Sequence, residues 1–128
     1  MKRVLIIEDE KNMLAVLSDR MRMEKFDVIQ AASGEVGFDK AIKEKPDLIF
    51  LDILMPQMDG FAVLKKVRAE GVWGRSVPIV VLTNLIPDDD ALAKITADKP
   101  TYYFVKTEID IDSVVKKAKE LVSGGSKL

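Results

Sequence analysis

The hydrophobic residues of this chain fall into short unbroken runs that alternate with longer stretches of helical spacing. Unbroken apolar runs of this length are typical of strands that are covered on both faces. The run at 26–31 alternates more with polar residues, which indicates a strand nearer a sheet edge. The pattern predicts strands over residues 4–7, 26–31, 48–51, 77–82 and 102–105.

The stretches between these strands carry apolar residues at every third or fourth position, which is the spacing of an amphipathic helix. Ser33 and Asp59 are suitable N-caps, and Asp88 begins a run of aspartates that favours another helix start. Helices are predicted after residues 10, 33, 59, 87 and 110, with a turn-rich connection at 71–75 and a loop at 98–101. Because parallel crossovers need connecting helices, this order predicts an α/β fold, a doubly wound (βα)5 five-stranded parallel sheet with helices on both faces.

Length and composition indicate one globular domain. The 128 residues are 48% hydrophobic and 32% charged, which suffices for one core but not for two. We expect the domain to span residues 1–122 and a flexible, Gly- and Ser-rich tail to span 123–128. The net charge of -1 lacks the basic excess of a protein that binds nucleic acid directly.

The residue types that the chain lacks exclude several chemistries. It contains no cysteine and no histidine, so it cannot form disulfides, use a Ser-His-Asp triad or carry phosphohistidine itself. The apolar run at 4–7 is far shorter than a signal-peptide core or a membrane span. We therefore expect a cytoplasmic protein that does not contact the membrane.

Polar side chains follow four of the five predicted strands. Glu8 and Asp9 follow the first strand, Asp52 the third, Thr83 the fourth and Lys106 the fifth. In an open parallel sheet ligands bind outside the carboxyl ends of the strands, so we expect these groups to converge. Three carboxylates would repel one another without a cation, and an all-oxygen set with room for water suits Mg²⁺.

Asp52 is the candidate nucleophile of this site. A carboxylate beside bound Mg²⁺ can attack phosphorus and form an acyl phosphate. Lys106 would supply an ammonium group and Thr83 a hydroxyl donor to the oxygens of the transferred group. The predicted site therefore contains every part that phosphoryl transfer needs.

Four stretches carry a family resemblance. Residues 6–10 read Ile-Ile-Glu-Asp-Glu, residues 46–60 lead through Asp52 to Met-Pro-Gln-Met-Asp-Gly, and residues 78–83 and 103–106 are apolar runs that end in threonine and lysine. In this order and spacing they resemble the receiver domain of bacterial two-component response regulators, over essentially the full chain. The resemblance implies a flavodoxin-like fold.

The resemblance also implies a function. Asp52 would accept a phosphoryl group from the phosphohistidine of a histidine kinase or phosphotransfer protein. The chain would be a signalling switch that catalyses only its own phosphorylation and dephosphorylation. Asp9 would bind Mg²⁺ directly, Glu8 would lie nearby and often act through water, and the backbone carbonyl of Leu54 would be a third protein contact.

Thr83 and Tyr103 resemble the switch pair of the family. The hydroxyl would move toward the phosphate, and the ring would turn inward into the vacated space. The face formed by the predicted fourth helix, the fifth strand and the last helix is where relatives bind partners or dimerise. We expect an unidentified output partner, or a homodimer formed on phosphorylation, on that face.

The chain departs from the family pattern near the site. Thr107 follows the lysine where relatives usually have proline, and Asn84 follows the threonine where a small residue is usual. Leu54 and Leu85 flank the site at positions resembling those that tune phosphoryl lifetime. Asp-Lys-Pro-Thr at 98–101 replaces a usual Gly-Ala turn, so the fourth helix and its loop are expected to differ.

Alternative functions remain open on the sequence. A Mg²⁺-dependent phosphohydrolase of the haloacid-dehalogenase type also uses a strand-end aspartate, but it needs a second acid where this chain has Leu54. A flavodoxin-like flavin module needs a phosphate-binding loop, whereas residues 8–11 are acidic and lack Gly, Ser and Thr. A receiver that no longer takes phosphate is the third alternative, although neither the acids nor the lysine are lost.

Several of these residues also have purely structural interpretations. Asp52 alone could form a turn, and Lys106 alone could be a surface lysine, but their joint occurrence favours function. Glu10 is assigned to the start of the first helix, where carboxylates are favourable. Tyr103 fits strand packing as well as switching. Trp73 is expected to pack over a helix end rather than to contact a partner.

Overall fold

Five parallel strands of the described residues form one sheet. The structure is a computed structural model, and it describes residues 1–53, 60–83, 93, 101–106 and 110–123. The strands are β1 (Arg3–Ile7), β2 (Asp27–Ala31), β3 (Leu48–Leu51), β4 (Ile79–Thr83) and β5 (Thr101–Val105). They lie in the order β2-β1-β3-β4-β5, so the alternating strand β2 is at an edge, as predicted.

The helices begin and end largely where the sequence predicts. They are α1 (Lys11–Met23), α2 (Gly34–Glu44), α3 (Gly60–Arg68), α4 (Gly71–Ser76) and α5 (Ile111–Val122). The hydroxyl oxygen of Ser33 accepts the backbone N–H of Val36 at 3.2 Å and caps α2, as predicted. Asp110 caps α5 in the same way, by accepting the backbone N–H of Asp112 at 3.1 Å.

The two faces of the sheet bury separate cores. Alternate side chains of the inner strands point to opposite faces, so each strand contributes to both cores. One core joins the sheet to α2 and α3 through Leu5, Ile7, Ala41, Ile49, Leu51, Val63, Leu64, Val67, Ile79 and Val81. The other joins it to α1 and α5 through Val4, Ile6, Leu17, Met21, Leu48, Phe50, Val80, Leu82, Val114, Val115 and Ala118. The doubly wound α/β fold is therefore confirmed.

The prediction of a turn-rich connection at 71–75 is wrong, because Gly71–Ser76 form the short helix α4. The guanidinium of Arg68 donates to the carbonyl oxygens of Gly74 at 3.0 Å and Val77 at 2.6 Å. These hydrogen bonds satisfy acceptors at the end of a helix that is too short to show a hydrophobic period. The predicted loop at 98–101 also needs correction, since Thr101 is already part of β5.

Several predictions lie outside the described residues. They concern the cap at Asp59, the contacts of Leu54, Asn84, Leu85 and Thr107, and the tail beyond Ser123. Of the helix predicted after residue 87, only Ala93 is described, and it is helical. Within the described parts of the chain, no helix combines the length and the apolar character that crossing a membrane requires.

Candidate functional site

Strand register places the predicted site residues at one edge of the sheet. Ile7 at the end of β1 pairs with Leu51 at the end of β3, and the backbone N–H of Asp52 donates to the carbonyl of Ile7 at 3.0 Å. These contacts hold Asp52 beside Glu8, the residue that follows Ile7. On the other side, Thr83 pairs with Val105, the residue before Lys106.

Three carboxylates converge there and form what we call the acidic cluster (Glu8, Asp9 and Asp52). One oxygen from each residue lies within 4.8 Å of the oxygens from the other two. Glu8 is 1% exposed and Asp52 is 3% exposed, whereas Asp9 faces solvent. The predicted convergence of these acids is confirmed.

Lys106 also reaches this cluster. Its side chain is 7% exposed, and its Nζ lies 2.6 Å from Oε1 of Glu8 and 3.2 Å from Oδ2 of Asp52. A carboxylate oxygen of Glu10, which is mostly exposed, lies 3.7 Å from the same nitrogen. The ammonium group is thus shared among three acids, and its shortest contact is with Glu8 rather than with the candidate nucleophile.

Burial and neighbouring charges shift the pKa values of both Glu8 and Lys106, the two residues of this shortest contact. Burial raises the pKa of Glu8 to about 7, although the hydrogen bonds from Lys106 and from the backbone of Glu10 act in the opposite direction. Burial favours the neutral form of Lys106, but the hydrogen bond and charge of Glu8 and the charge of Asp52 outweigh it and raise the pKa of Lys106. The lysine is therefore held as a cation against the acids.

The start of α3 packs directly against the backbone of the candidate nucleophile. The backbone N–H of Gly60 donates to the carbonyl of Ile53 at 2.8 Å. A Cβ at Gly60 would lie 2.5 Å from the carbonyl oxygen of Asp52 and 2.4 Å from Cα of Ile53, which is closer than real contacts allow. Only glycine lets α3 begin this close to Asp52.

The sequence does not predict the contributions that two residues, Glu10 and Gly60, make to the site. Glu10 occupies the N-cap position of α1, as its helix-start assignment predicts, but its backbone N–H donates to Oε2 of Glu8 at 3.0 Å and its carboxylate approaches Lys106. Gly60 was recognised only as part of the motif at 46–60. Neither role has a local sequence signature, because each depends on a contact between separate elements.

The other predicted site residues are placed only in part. Tyr103 is half-buried and packs against the core on the α2 and α3 face. The backbone of Thr83 ends β4 next to β5, while its side chain and the carbonyl of Leu54 lie outside what the structure describes. The switch pair and the third metal contact therefore stay predictions.

Trp73 donates its indole N–H to the carbonyl of Pro46 at 3.0 Å, just beyond α2, which confirms its predicted packing over a helix end.

Comparison with known protein families identifies the family to which this chain belongs. The family model described as the response regulator receiver domain matches residues 4–119. The chain belongs to this family, whose members are signalling domains of two-component response regulators. The resemblance inferred from the four sequence stretches is thereby confirmed.

Individual relatives agree with the family match. The chain is 38% identical over 82 residues to the alkaline phosphatase synthesis transcriptional regulatory protein PhoP of Bacillus subtilis, an alignment that covers 64% of this chain and 33% of PhoP. Among solved structures, the chemotaxis protein CheY4 of Vibrio cholerae has a TM-score of 0.84 at 26% identity, covering 94% of this chain and 98% of that one. The response regulator TrrA of Thermotoga maritima, solved in complex with Mg(2+)-BeF, has a TM-score of 0.81 at 29% identity, covering 94% and 99%.

The donor set of the acidic cluster suits a hard divalent cation. All three groups offer carboxylate oxygens, which are the ligands that Mg²⁺ prefers. Two of the acids are buried and fixed by strand ends, while Asp9 is exposed and leaves a side of the cluster open to solvent. Mg²⁺ commonly keeps several waters, and this arrangement of buried and exposed ligands accommodates them.

Proposed function

We propose that this receiver domain accepts a phosphoryl group on Asp52 and acts as a phosphorylation-controlled switch. The observation that carries the proposal is the buried Asp52 carboxylate with the Nζ of Lys106 at 3.2 Å, inside a cluster of three acids. A carboxylate that contacts an ammonium group and belongs to a metal-binding cluster is suited to attack phosphorus, because the two cations stabilise the negative charge that develops on the transferred oxygens. Family membership supports this role over the phosphohydrolase and the flavin module considered from the sequence.

In the proposed transfer, a P–O bond to Asp52 replaces a P–N bond to a histidine of the donor. An oxygen of Asp52 attacks phosphorus and forms a P–O bond, while the P–N bond to the histidine of the partner breaks and the imidazole leaves with the electron pair. Lys106 stabilises negative charge on the transferring oxygens. Asp9, Glu8 and Asp52 would hold Mg²⁺, which when bound would neutralise the acids and draw charge from those oxygens.

The consequences of transfer are also part of the proposal. Phosphorylation would shift an equilibrium between inactive and active conformations through Thr83 and Tyr103. Half-burial of Tyr103 beside a core is compatible with a ring that moves between two positions. The domain would catalyse nothing beyond its own phosphorylation and dephosphorylation.

Partners and domain limits follow from the same proposal. The chain spans 33% of the length of PhoP. We propose a histidine kinase or phosphotransfer protein as the phosphoryl donor to Asp52, and an output partner that the sequence does not identify. The domain boundary at residue 122, a cytoplasmic location and a phosphorylation-linked homodimer stay predictions. Limited proteolysis would test the boundary, with cleavage expected after Val122.

Phosphorylation by a small donor tests the central claim. Incubation with acetyl phosphate and MgCl2 should add one phosphoryl group to the intact protein, measured by mass spectrometry, and EDTA should abolish the addition. Asp52→Asn should remove the label because the amide cannot form the acyl phosphate. Asp39→Asn is the matched control, since Asp39 is exposed on α2, and it should label like the wild type. Equal labelling of the Asp52→Asn protein would refute the assignment.

A further inference from the structure

Helix α2 makes a close contact with the end of β1 at a glycine. Gly37 is buried on α2, and a Cβ at this position would lie 2.6 Å from Cδ1, 2.7 Å from Cγ1 and 2.8 Å from Cγ2 of Ile7. Real Cβ atoms essentially never lie within 3.0 Å of another heavy atom. The side chain of Ile7 therefore fills the space that any other residue at position 37 would need.

Ile7 connects this contact to the acidic cluster. It is fully buried, it is the last residue of β1, and Glu8 follows it directly. Its carbonyl accepts the backbone N–H of Asp52 at 3.0 Å, and the backbone N–H of Glu8 donates to the carbonyl of Ala31 on β2 at 3.0 Å. A displacement of Ile7 would therefore move the backbone that carries two of the three carboxylates.

Contacts on two sides hold α2 in place over β1. Toward β2, Lys40 donates from its Nζ to the carbonyl of Gln30 at 2.6 Å. Toward α3, the Nζ of Lys66 lies 4.6 Å from the centre of the Phe38 ring. Because close-packed interiors transmit strain, a methyl group added to the buried face of α2 would displace Ile7.

We propose that Gly37 is a positioning residue for the acidic cluster, because its contact with Ile7 sets where the ends of β1 and β3 place Glu8 and Asp52. This inference rests on the proposed function for the metal that the cluster binds. Mg²⁺ demands a near-ideal octahedral arrangement of its ligands, so small displacements of these carboxylates should lower its affinity. Gly37 has no side chain that could bind the metal, and it acts through Ile7.

Substitution of Gly37 tests whether this contact acts on the site. Alanine is a better helix former than glycine, so on helix propensity alone Gly37→Ala would stabilise α2 and leave the site unchanged. We expect it instead to weaken Mg²⁺ binding roughly tenfold, measured by calorimetry with MgCl2, which is within the range of coupling between contacting residues. Wild-type affinity in a folded Gly37→Ala protein would overturn the proposal.

Gly74→Ala is the matched control. Gly74 is a buried glycine on α4, and its Cβ would also meet a close neighbour, the carbonyl oxygen of Val67 at 2.1 Å. Because this contact is separate from the acidic cluster, the Mg²⁺ affinity of Gly74→Ala should stay within roughly twofold of the wild type. Equal losses of affinity in the two glycine variants would show a general effect of overpacking and would overturn the positioning role.

A double-mutant cycle with Ile7 tests the route of the effect. Ile7→Ala removes all three side-chain atoms that an added Cβ at position 37 would displace. In the Ile7→Ala background, Gly37→Ala should therefore change the Mg²⁺ affinity by less than roughly twofold. The same tenfold loss in both backgrounds would contradict an action through Ile7.

Amide hydrogen exchange reports on the strand ends directly and needs no metal. In EDTA, the backbone amides of Glu8 and Asp52 should exchange at least roughly fivefold faster in Gly37→Ala than in Gly74→Ala, because local opening at these hydrogen bonds becomes easier. A global loss of stability would instead speed the core amides together, and equal exchange at Glu8 and Asp52 in both variants would count against the proposal.

A milder variant replaces Gly37→Ala should that protein not fold. Ile7→Val removes only Cδ1, the atom nearest to the added Cβ, and it loosens the same contact. It should also speed the exchange of the Glu8 and Asp52 amides selectively, and unchanged exchange would overturn the proposal. No experiment here uses a phosphoryl donor and the exchange measurement needs no Mg²⁺, so failure of Asp52 to become labelled, failure of the metal to bind and failure of this inference are distinguishable results.

Discussion

The two ends of the sheet each bury a cationic side chain, and the two cations have different kinds of partner. At the carboxyl end, Lys106 lies among the carboxylates of Glu8, Asp52 and Glu10. At the amino end, the guanidinium of Arg68 donates to the carbonyl oxygens of Gly74 and Val77 and to the hydroxyl of Thr101 at 2.9 Å. One cation contacts charged side chains, and the other contacts neutral acceptors, two of which are backbone carbonyl oxygens.

The difference shows why a buried charge does not by itself mark a functional site. The planar guanidinium of Arg68 presents its donors in a fixed fork that matches acceptors on α4 and β5, so it connects elements. The carboxylates around Lys106 can instead exchange their partner for a metal ion, because a metal and an ammonium both neutralise them. We therefore expect substitutions at the amino end to change stability alone, and substitutions at the carboxyl end to change ligand binding as well.

Loss of Arg68 should produce the largest change in stability. Arg68→Met would leave buried carbonyl and hydroxyl acceptors without their donor, and we expect the free energy of unfolding to fall by about 3 kcal/mol. Urea denaturation followed by circular dichroism measures the change. Arg75→Met is the matched control because Arg75 is exposed on the neighbouring helix α4, and it should change stability by no more than about 0.5 kcal/mol.

If the two ends of the sheet are independent, Arg68 stabilises the fold and has no effect on Mg²⁺ binding at the acidic cluster. Arg68→Met that remains folded at low temperature should bind Mg²⁺ with an affinity within roughly twofold of the wild type, because additivity holds for separate sites. A large loss of Mg²⁺ affinity in a folded Arg68→Met protein would show that the two ends are coupled.

Glycine substitutions test the same division with smaller steric changes. Gly60→Ala places a methyl group against the backbone of Asp52 and Ile53, and we expect it to cost about 2 kcal/mol of stability and to weaken Mg²⁺ binding. Gly74→Ala on α4 is the counterpart, because its Cβ would lie 2.1 Å from the carbonyl oxygen of Val67. It should cost a similar amount of stability and leave Mg²⁺ affinity unchanged. Calorimetry and urea denaturation on both variants separate the two effects, and equal losses of affinity would contradict the division.

The sequence predicts the fold and the membership of the site for identifiable reasons. Unbroken apolar runs define the strands, and in a parallel sheet the residue after each run is carried to the same edge, so Glu8, Asp52 and Lys106 could be grouped before any coordinates. That Lys106 lies closer to Glu8 than to Asp52 could not be predicted, because differences of tenths of an ångström depend on side-chain packing. The helix α4 was missed because its acceptors are satisfied by Arg68 from a preceding helix.

The acidic cluster should also make stability depend on pH in a way that Arg68 does not, since arginine stays charged throughout the accessible range. Burial raises the pKa of Glu8 from 4.5 to about 7, so between these values the folded protein binds a proton that the unfolded chain does not. This contribution to stability is fully present below pH 4.5 and is lost as the pH rises toward 7.

Other groups titrate in the same interval, so the informative quantity is the difference in unfolding free energy between the wild type and Glu8→Gln, whose amide does not titrate. In EDTA, we expect the wild type to lose about 1–3 kcal/mol relative to Glu8→Gln across this interval, measured by urea denaturation at each pH. A difference that stays constant with pH would show that Glu8 titrates normally in the folded protein, and that the burial of this carboxylate between Lys106 and the backbone of Glu10 does not hold in solution.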